Sequence, residues 1–322
     1  MSDVFGLVLP FFGLIFLGGL VARLTRQPLE ALGWMNTFII YVALPAMFIQ
    51  ILSQTPIERL TEFAYIFGAV FSTFLVFALM FVFSVITSRG EIAQSTIKSL
   101  AAAYGNIGFM GPGLALVAFG EEAAVPVALI FCFENVMHFT IVPTLMALTG
   151  GGKTAPLQLA AGVAKSIILH PFIIATAVGV AAAYFSIRAP LPLERLLDML
   201  ARTAAPCALF VMGVTLALRP LTRVPSELGA IAVLKLVVHP VVCYLALSLL
   251  GDFDATWVFT AVLLAALPTA TNVFIMAQQY GVWVQRASAS VFITTALSVV
   301  TVTALLYLIK SGLLPPDLFP QG

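Results

Sequence analysis

The sequence predicts an all-α membrane protein, and three features of its composition and pattern support this fold class. Hydrophobic residues make up 61% of the 322 residues and charged residues only 9%, whereas a soluble domain carries about 25% charged residues. The mean hydropathy is +1.09. Apolar runs long enough to form spanning helices recur along the whole chain, and the short alternating segments typical of a membrane β-barrel are absent from the sequence.

Ten apolar runs reach the length that a transmembrane helix needs. The first carries Gly18 and Gly19, small residues that favour close helix packing. The second and seventh contain Pro45 and Pro206, which neighbouring helices can accommodate. The tenth is rich in Ser and Thr, to which we assign a packing role. The predicted spans are 4–24, 32–53, 63–87, 94–119, 122–148, 162–185, 196–217, 227–250, 256–280 and 286–309.

The two halves of the chain resemble each other when the sequence is shifted by 161 residues. The coinciding landmarks are Pro10 with Pro171, Pro45 with Pro206, and Gly120 with Gly281. Each half contains five spans, and because five is odd the second half inserts upside down relative to the first. We therefore predict a first inverted repeat at 1–149, a cytoplasmic linker at 150–161 and a second inverted repeat at 162–322, an arrangement typical of secondary transporters.

Two of the predicted spans are interrupted by residues that a lipid-facing helix would not carry. Span 4 contains the stretch 104–112 with three glycines, Asn106 and Pro112, and span 9 contains the stretch 267–274 with Pro268, Thr269, Thr271 and Asn272. Irregular backbone at membrane depth is tolerated only where it is buried in protein or lines a cavity. A matched pair of interrupted spans predicts a transporter's substrate site; the alternative is two ordinary kinks.

Span 5 carries the only acidic residue that we place near the centre of a span, Glu134. A charge at that depth costs roughly 2.5–3.5 kcal/mol on insertion scales, so it is a candidate functional residue. His138 follows four residues later on the same helix face. The pair is predicted to relay a proton or to bind a cation, with Asn135 as a further oxygen ligand; the alternative is a structural hydrogen bond between helices.

Other polar residues within the spans are less distinctive. Each of the two His-Pro pairs, at His170 and His239, is interpreted as structural. Lys235 lies deeper in its span than the other lysines, and it is a candidate source of positive charge for an anion.

The sequence excludes several classes of function. The net charge of +1 gives no electrostatic basis for nucleic-acid binding. The three cysteines, Cys132, Cys207 and Cys243, lie inside predicted spans without metal or disulfide spacing. The run at 150–156 lacks the spacing of a phosphate-binding loop, and the zinc-protease and serine-hydrolase motifs are missing. We therefore predict that the protein is not an enzyme and uses no cofactor or metal.

Lysine and arginine residues near the span ends predict the orientation. Nine lie on one side of the bilayer and five on the other, and the richer side is cytoplasmic by the positive-inside rule. Both termini are therefore predicted to lie outside the cytoplasm, in a multi-pass protein of the cell inner membrane.

The interrupted spans resemble the auxin efflux carrier family of membrane transporters. The resemblance rests on Gly105-Asn106-Ile107-Gly108-Phe109 in span 4 and on Leu267-Pro268-Thr269-Ala270-Thr271-Asn272-Val273-Phe274, with Gln278, Tyr280 and Gly281, in span 9. The short linker is similar to that of bacterial members. The resemblance implies the fold of bile-acid sodium symporters, with spans 1, 2, 6 and 7 as a scaffold and spans 3–5 and 8–10 as a moving domain in which spans 4 and 9 cross.

The resemblance also implies a function and a site. It implies a secondary active transporter for small carboxylates such as malate and malonate, with elevator-type alternating access and a homodimer formed through the scaffold. The alternative is a sodium-coupled symporter of the bile-acid type. The expected coupling residues are Glu134, Asn135 and His138. The expected substrate-site residues are Asn106, Gly108, Pro112, Pro268, Thr269, Thr271 and Asn272.

Overall fold

A computed structural model describes residues 2–149, 161–162, 164–165, 168–169, 171–218 and 227–319. Within these ranges the regular secondary structure is helical, and the only pairing of β type is an isolated bridge between Gly105 and Thr269. The predicted linker, apart from residue 161, lies outside the described residues, and so does His170.

The helices follow the predicted spans along the chain, and several spans consist of two consecutive helices. They are α1 (Ser2–Thr25), α2 (Gly33–Phe38), α3 (Leu44–Ser53), α4 (Phe63–Thr87), α5 (Ile92–Ala103), α6 (Gly111–Phe119), α7 (Ala124–Thr149), α8 (Pro171–Tyr184), α9 (Leu191–Leu218), α10 (Leu228–Val233), α11 (His239–Leu250), α12 (Ala255–Ala266), α13 (Thr271–Tyr280) and α14 (Val284–Lys310).

Six helical segments of the described chain are long and apolar enough to cross a membrane. Shorter apolar helices cover Leu9–Thr25, Pro171–Tyr184 and Ala255–Ala266. The prediction of an all-α, multi-pass membrane protein is therefore confirmed, while the number of ten spans stays a prediction. The six long segments are Gly33–Ser53, Phe63–Thr87, Glu121–Thr149, Leu191–Leu218, Leu228–Leu250 and Val284–Lys310.

Two helices widen into a π-helical turn just before a proline. The turn at Ile39–Ala43 precedes Pro45, and the turn at Leu234–Val238 precedes Pro240. Proline lacks the N–H that would continue the helical ladder and its ring crowds the carbonyl one turn earlier, so the helix locally adopts a wider turn. The second turn contains Lys235, whose side chain is fully buried.

The described chain divides into two compact units. The first unit comprises Met1–Phe63, Gly108–Cys132 and Ile168–Pro220, and the second comprises Ala64–Ile107, Phe133–Ile167 and Leu221–Gly322. Each unit therefore draws on both halves of the sequence. The boundary between Ile107 and Gly108 falls inside the interrupted span 4, so α5 belongs to the second unit and α6 to the first.

Small residues and aromatic rings pack the first unit. A Cβ atom on Gly18 of α1 would lie 3.0 Å from the carbonyl carbon of Phe210 in α9, so these helices touch through their backbones, as the small residues predict. The rings of Phe48, Phe131 and Phe172 meet with centroids 4.8–5.9 Å apart. Apolar shape complementarity therefore holds this unit together.

The second unit buries many polar side chains besides its apolar core. Lys98 of α5 forms an ion pair of 2.7 Å with Glu227, which precedes α10, and Arg286 of α14 lies 3.9 Å from the same carboxylate oxygen. Tyr65 of α4 donates a hydrogen bond of 3.0 Å to the carbonyl of Trp257 in α12. Buried charges are costly in a membrane protein and mark functional regions, so the candidate site lies in this unit.

Candidate functional site

The first half of span 4 ends where its backbone becomes extended. The N–H of Tyr104 donates the last helical hydrogen bond to Leu100, at 2.8 Å, and Tyr104 then adopts φ −75° and ψ 103°. Helix α6 begins at Gly111, with Pro112 in its first turn, where the missing N–H costs no helical bond. Pro112 therefore starts the second half-helix and lies away from the end of the first.

Span 9 is interrupted at Pro268. Leu267 is extended, with φ −64° and ψ 150°, because the proline ring disfavours helical geometry in the preceding residue. Ala270 is also extended, with φ −65° and ψ 144°, and α13 starts at Thr271. The chain is thus non-helical between Ala266 and Thr271, where the sequence places its cluster of polar residues.

The two interruptions meet backbone to backbone. The N–H of Asn106 donates to the carbonyl of Pro268 at 2.7 Å, and the N–H of Ala270 donates to the carbonyl of Tyr104 at 2.9 Å. These bonds form the antiparallel bridge between Gly105 and Thr269. Each break therefore supplies hydrogen-bond partners for the backbone groups of the other, as irregular backbone within a membrane requires. We call the residues 104–106 and 268–270 the crossing.

Glycine is required at the centre of the crossing. A Cβ atom on Gly105 would lie 3.1 Å from the carbonyl oxygen of Leu264 and 3.2 Å from Nζ of Lys235. The ammonium group of Lys235 therefore lies directly against the crossing backbone. It donates a hydrogen bond of 2.6 Å to the carbonyl of Ala265, near the negative end of the α12 dipole, where a cation is favoured.

Thr269 fastens the crossing to two neighbouring helices. Its hydroxyl donates to the carbonyl of Ala101 in α5 at 2.7 Å, and its N–H donates to Oγ1 of Thr294 in α14 at 3.1 Å. Thr269 is fully buried. Its single hydroxyl hydrogen is used within the protein, so only its oxygen lone pairs can meet a solute.

Helix α13 begins beside this crossing with an uncapped N-terminus. The first N–H groups of a helix have no helical partner, and the N-cap residue Ala270 provides no side-chain acceptor. Thr271 and Asn272 in the first turn are half-buried. A helix N-terminus carries partial positive charge and oriented N–H groups, so this end of α13 suits an anion such as a carboxylate.

Tyr104 connects the crossing to the residues that we predict to carry coupling. Nδ2 of Asn272 donates to the Tyr104 hydroxyl at 3.0 Å, and that hydroxyl donates in turn to Oδ1 of Asn135. The Tyr104 ring stacks on the imidazole of His138, with centroids 4.3 Å apart. The structure thus brings Asn272, Asn135 and His138 together through a residue to which the sequence interpretation gives no role of its own.

His138 bonds to the backbone of Glu134 and not to its carboxylate. Nδ1 of His138 lies 2.7 Å from the Glu134 carbonyl oxygen. A carbonyl can only accept, so Nδ1 carries the hydrogen and the neutral ring has its lone pair on Nε2. Nε2 of His138 and Oε2 of Glu134 are buried without a hydrogen-bond partner among the described residues.

The Glu134 carboxylate is the end of a chain of buried side chains. Its Oε1 accepts a hydrogen bond of 2.7 Å from Oγ1 of Thr73 in α4. Oγ1 of Thr73 lies 2.9 Å from Nε2 of His239, and Nδ1 of that ring lies 2.9 Å from Nζ of Lys235. These four side chains are at most 4% exposed. We call Lys235, His239, Thr73 and Glu134 the charge chain.

The predicted site residues separate into two groups. Asn106, Pro268, Thr269, Thr271 and Asn272 lie at or beside the crossing in the second unit, which also contains Glu134, Asn135 and His138. Gly108 and Pro112 belong to the first unit. There a Cβ atom on Gly108 would lie 2.9 Å from Cε2 of Phe131.

Sequence reasoning gives no site role to two members of the charge chain, Thr73 and His239, and names Lys235 only as a candidate source of positive charge. A signal for His239 exists, because it follows Lys235 by four residues on one helix face, as His138 follows Glu134. Thr73 gives no such signal, since a threonine within an apolar helix more often bonds to its own backbone. The described residues contain no group of three or more His, Cys, Asp or Glu side chains able to hold a metal ion.

Several helices of this chain are long and apolar enough to cross a membrane. Two of the spans are interrupted, and the interruptions meet among buried polar groups. This arrangement is typical of a membrane transporter. The sequence model of the family described as "Membrane transport protein" matches residues 3–306, and the chain belongs to this family, the auxin efflux carrier family that its motifs resemble. A protein of Rhizobium meliloti (strain 1021) named "Putative malonate transporter" is 62% identical over 320 residues, which cover 99% of this chain and 100% of that relative. The protein is therefore a transporter and not an enzyme.

Proposed function

We propose that the protein is a secondary active transporter that carries small dicarboxylates, with malonate as the first candidate, across the cell inner membrane. The observation that carries this proposal is the crossing, which places the uncapped N-terminus of α13 and the Asn272 amide side by side. Its relative's name supports malonate as the substrate class.

One carboxylate of the substrate binds at the start of α13. Asn272 has two Nδ2 hydrogens, of which one bonds to Tyr104, so the second can donate to the substrate. The N–H groups of Thr271 and Asn272 supply further donors, and Asn106 contributes from span 4. Pro268 and Thr269 hold the break open, while Gly108 and Pro112 shape the second half of span 4.

Positive charge for a dianionic substrate comes from within the second unit. A Cβ atom on Gly105 would lie only 3.2 Å from the Lys235 ammonium group. We place the substrate on the opposite side of the Gly105 backbone from this ammonium group. In surroundings of low dielectric this charge and the α13 dipole attract carboxylates strongly.

The transport cycle follows elevator-type alternating access. The division of the chain into two compact units supports this, because the second unit holds the crossing and the charge chain whereas the first consists mainly of spans 1, 2, 6 and 7. We infer that the second unit moves, that the first unit is the scaffold through which a homodimer forms, and that the ten spans are two inverted repeats at 1–149 and 162–322. Both termini lie outside the cytoplasm.

Coupling to protons is favoured over coupling to sodium. Glu134 and His138 each present a buried polar atom that has no partner within the described chain, and a titrating group can use such an atom to take up a proton. A sodium-coupled symporter remains the alternative, and uptake with and without a sodium gradient separates the two.

Counterflow in proteoliposomes tests the proposed function. Purified protein is reconstituted with unlabelled malonate inside, and labelled malonate is added outside. We expect saturable exchange that malate inhibits and that empty liposomes lack. Absence of malonate exchange would overturn the proposed substrate class, provided that a thermal denaturation transition shows the protein to be folded.

The proton dependence is tested on Glu134. The Glu134→Gln variant keeps the size of the side chain but cannot ionise, so uptake by this variant should no longer vary with an imposed pH gradient. A pH profile identical to that of the unmodified protein would exclude Glu134 from coupling.

A further inference from the structure

We propose that the charge chain is a proton wire, in which Thr73 and His239 carry a proton between Lys235 at the crossing and Glu134. This inference deepens the proposed function, on which it rests, by assigning the path of the coupled proton. Thr73 and His239 act as relay residues and do not themselves bind the substrate.

With Lys235 as an ammonium and Glu134 as a carboxylate, the donors and acceptors of the chain fit one arrangement. The Lys235 ammonium has donors alone, so Nδ1 of His239 accepts from it at 2.9 Å. The neutral ring then carries its hydrogen on Nε2 and donates to Oγ1 of Thr73, also at 2.9 Å. Thr73 in turn donates to Oε1 of Glu134 at 2.7 Å, in preference to the carbonyl of Ala69 at 3.3 Å. Every hydrogen points from the lysine towards the glutamate.

This arrangement allows a balanced proton transfer without any further reactant. An N–H bond of Lys235 breaks and one forms at Nδ1 of His239, while the N–H bond at Nε2 breaks and its proton joins Oγ1 of Thr73. The original hydroxyl proton of Thr73 passes to Oε1 of Glu134. The ammonium and carboxylate become an amine and a carboxylic acid, the imidazole changes tautomer, and nothing is oxidised or reduced.

Burial brings the ionised and neutral forms of the wire close in free energy. Taking two charges out of water is expensive, and their mutual attraction returns only part of that cost. The ammonium is supported by the carbonyl of Ala265 at 2.6 Å. The carboxylate is less well supported, because its Oε2 finds no hydrogen-bond partner among the described residues, and an unsatisfied buried acceptor is costly. The wire can therefore change between its ionised and neutral forms.

The neighbouring titratable groups do not interrupt the wire. Tyr65 of α4 donates to the carbonyl of Trp257, and Tyr104 of α5 donates to Asn135. His138 of α7 uses Nδ1 on the carbonyl of Glu134. Cys243 of α11 is a buried neighbour of both charged ends.

The wire couples substrate occupancy to the position of a proton. An anion beside Gly105 stabilises the ammonium form, so the proton stays on Lys235 while the substrate is bound. When the anion leaves, that stabilisation is lost and the proton moves to Glu134, whose Oε2 can release it. By reciprocity, the protonation state of the wire changes substrate affinity by the same factor.

Thr73 gives the sharpest test, because Val has nearly the same shape and no hydroxyl whereas Ser keeps one. The readout is the ratio of malonate uptake driven by a pH gradient to malonate counterflow, since exchange requires no net proton movement. We expect this ratio to fall by about a hundredfold in Thr73→Val, the order of one general acid–base step, and to be retained in Thr73→Ser.

A matched control removes a different buried hydroxyl from the same unit. Thr260 is fully buried and its hydroxyl has no partner among the described residues, so Thr260→Val should keep the ratio of the unmodified protein. The proposal is overturned if Thr73→Val keeps that ratio, or if it lowers uptake and counterflow equally, which would indicate a structural role.

A second measurement does not depend on the substrate. The chain has three histidines, so single substitutions assign their ¹⁵N resonances in the reconstituted protein. Without substrate the neutral form of the wire places the hydrogen of His239 on Nδ1, whereas Glu134→Gln, which cannot take up the proton, should keep it on Nε2; the hydrogen of His138 should lie on Nδ1 in both proteins. The same His239 tautomer in both would overturn the wire even if malonate proves to be the wrong substrate, whereas absent malonate exchange with the expected difference in tautomer would overturn only the proposed function.

Discussion

The two units differ in the kind of side chain that they bury between their helices. In the first unit α1 and α9 touch through Gly18 and Gly213, and aromatic rings such as Phe48 fill the remaining space. In the second unit Lys235 and Glu134 lie buried and are connected through hydrogen bonds. Close packing of small and aromatic residues stabilises the first unit, whereas the buried charges of the second unit depend on hydrogen bonds to other side chains.

This difference separates stability from function. Lipid tails are as apolar as leucine, so packing of small residues is sufficient to join helices. Buried charges add no comparable stability and are costly to desolvate. Their concentration around the crossing supports the proposal that the second unit carries the substrate site. Substitutions in the two units should therefore have different effects.

The largest effect is expected from removing the buried cation. Lys235→Ala leaves the Glu134 carboxylate without its counter-charge, which should lower the free energy of unfolding by about 3–5 kcal/mol. Denaturation of the detergent-solubilised protein measures this. A double variant, Lys235→Met with Glu134→Gln, removes both charges and should recover most of the loss; an equally unstable double variant would contradict the electrostatic explanation.

The next effect concerns the anion site alone. Asn272→Ala removes a donor to the substrate, and hydrogen bonds to charged groups contribute about 1.5–3 kcal/mol, so malonate affinity should fall by about tenfold or more. Because Asn272 is only half-buried, the midpoint of thermal denaturation should stay close to that of the unmodified protein. Unchanged uptake in proteoliposomes would remove Asn272 from the site.

A methyl group tests the first unit. A Cβ on Gly18 overlaps the Phe210 carbonyl, whereas one on the adjacent Gly19 lies 3.5 Å from its nearest neighbour. Gly18→Ala should therefore lower stability by about 1–3 kcal/mol through overpacking, and Gly19→Ala should be nearly neutral. Both variants should keep the malonate affinity of the unmodified protein. Equal stability of the two would show that α1 and α9 do not touch there.

The smallest effect is expected at Tyr104. Tyr104→Phe removes the hydroxyl between Asn272 and Asn135 but keeps the ring that stacks on His138. The lost hydrogen bonds should cost about 1 kcal/mol, seen as a few-fold weaker malonate binding in a titration. If affinity falls as far as in Asn272→Ala, the hydroxyl contacts the substrate directly.

The membrane class and both interruptions could be predicted from the sequence because they depend on local chemistry. Pro268 removes a backbone donor, and the polar residues after it cannot face lipid. The depth of Lys235 and Glu134 also follows from hydropathy alone. Local patterns of this kind are sufficient to place the two interruptions, whereas their crossing near Asn106 and Asn272 is implied by the family resemblance.

The contacts of the site could not be predicted, because they depend on how distant helices meet. Thr73 lies in an apolar helix, and its bond to Glu134 joins residues 61 positions apart. Tyr104 looks like an ordinary aromatic residue until α13 brings Asn272 to its hydroxyl. The spacing of Glu134 and His138 suggests a side-chain pair, yet Nδ1 of His138 bonds to the Glu134 carbonyl, one turn earlier in the same helix.

A structure of the protein with malonate bound tests the central claim most directly. We expect one carboxylate within about 3 Å of Asn272 Nδ2 and of the first N–H groups of α13, with the bridge between Gly105 and Thr269 intact. Malonate bound away from α13, or a continuous helix through Pro268, would contradict the account.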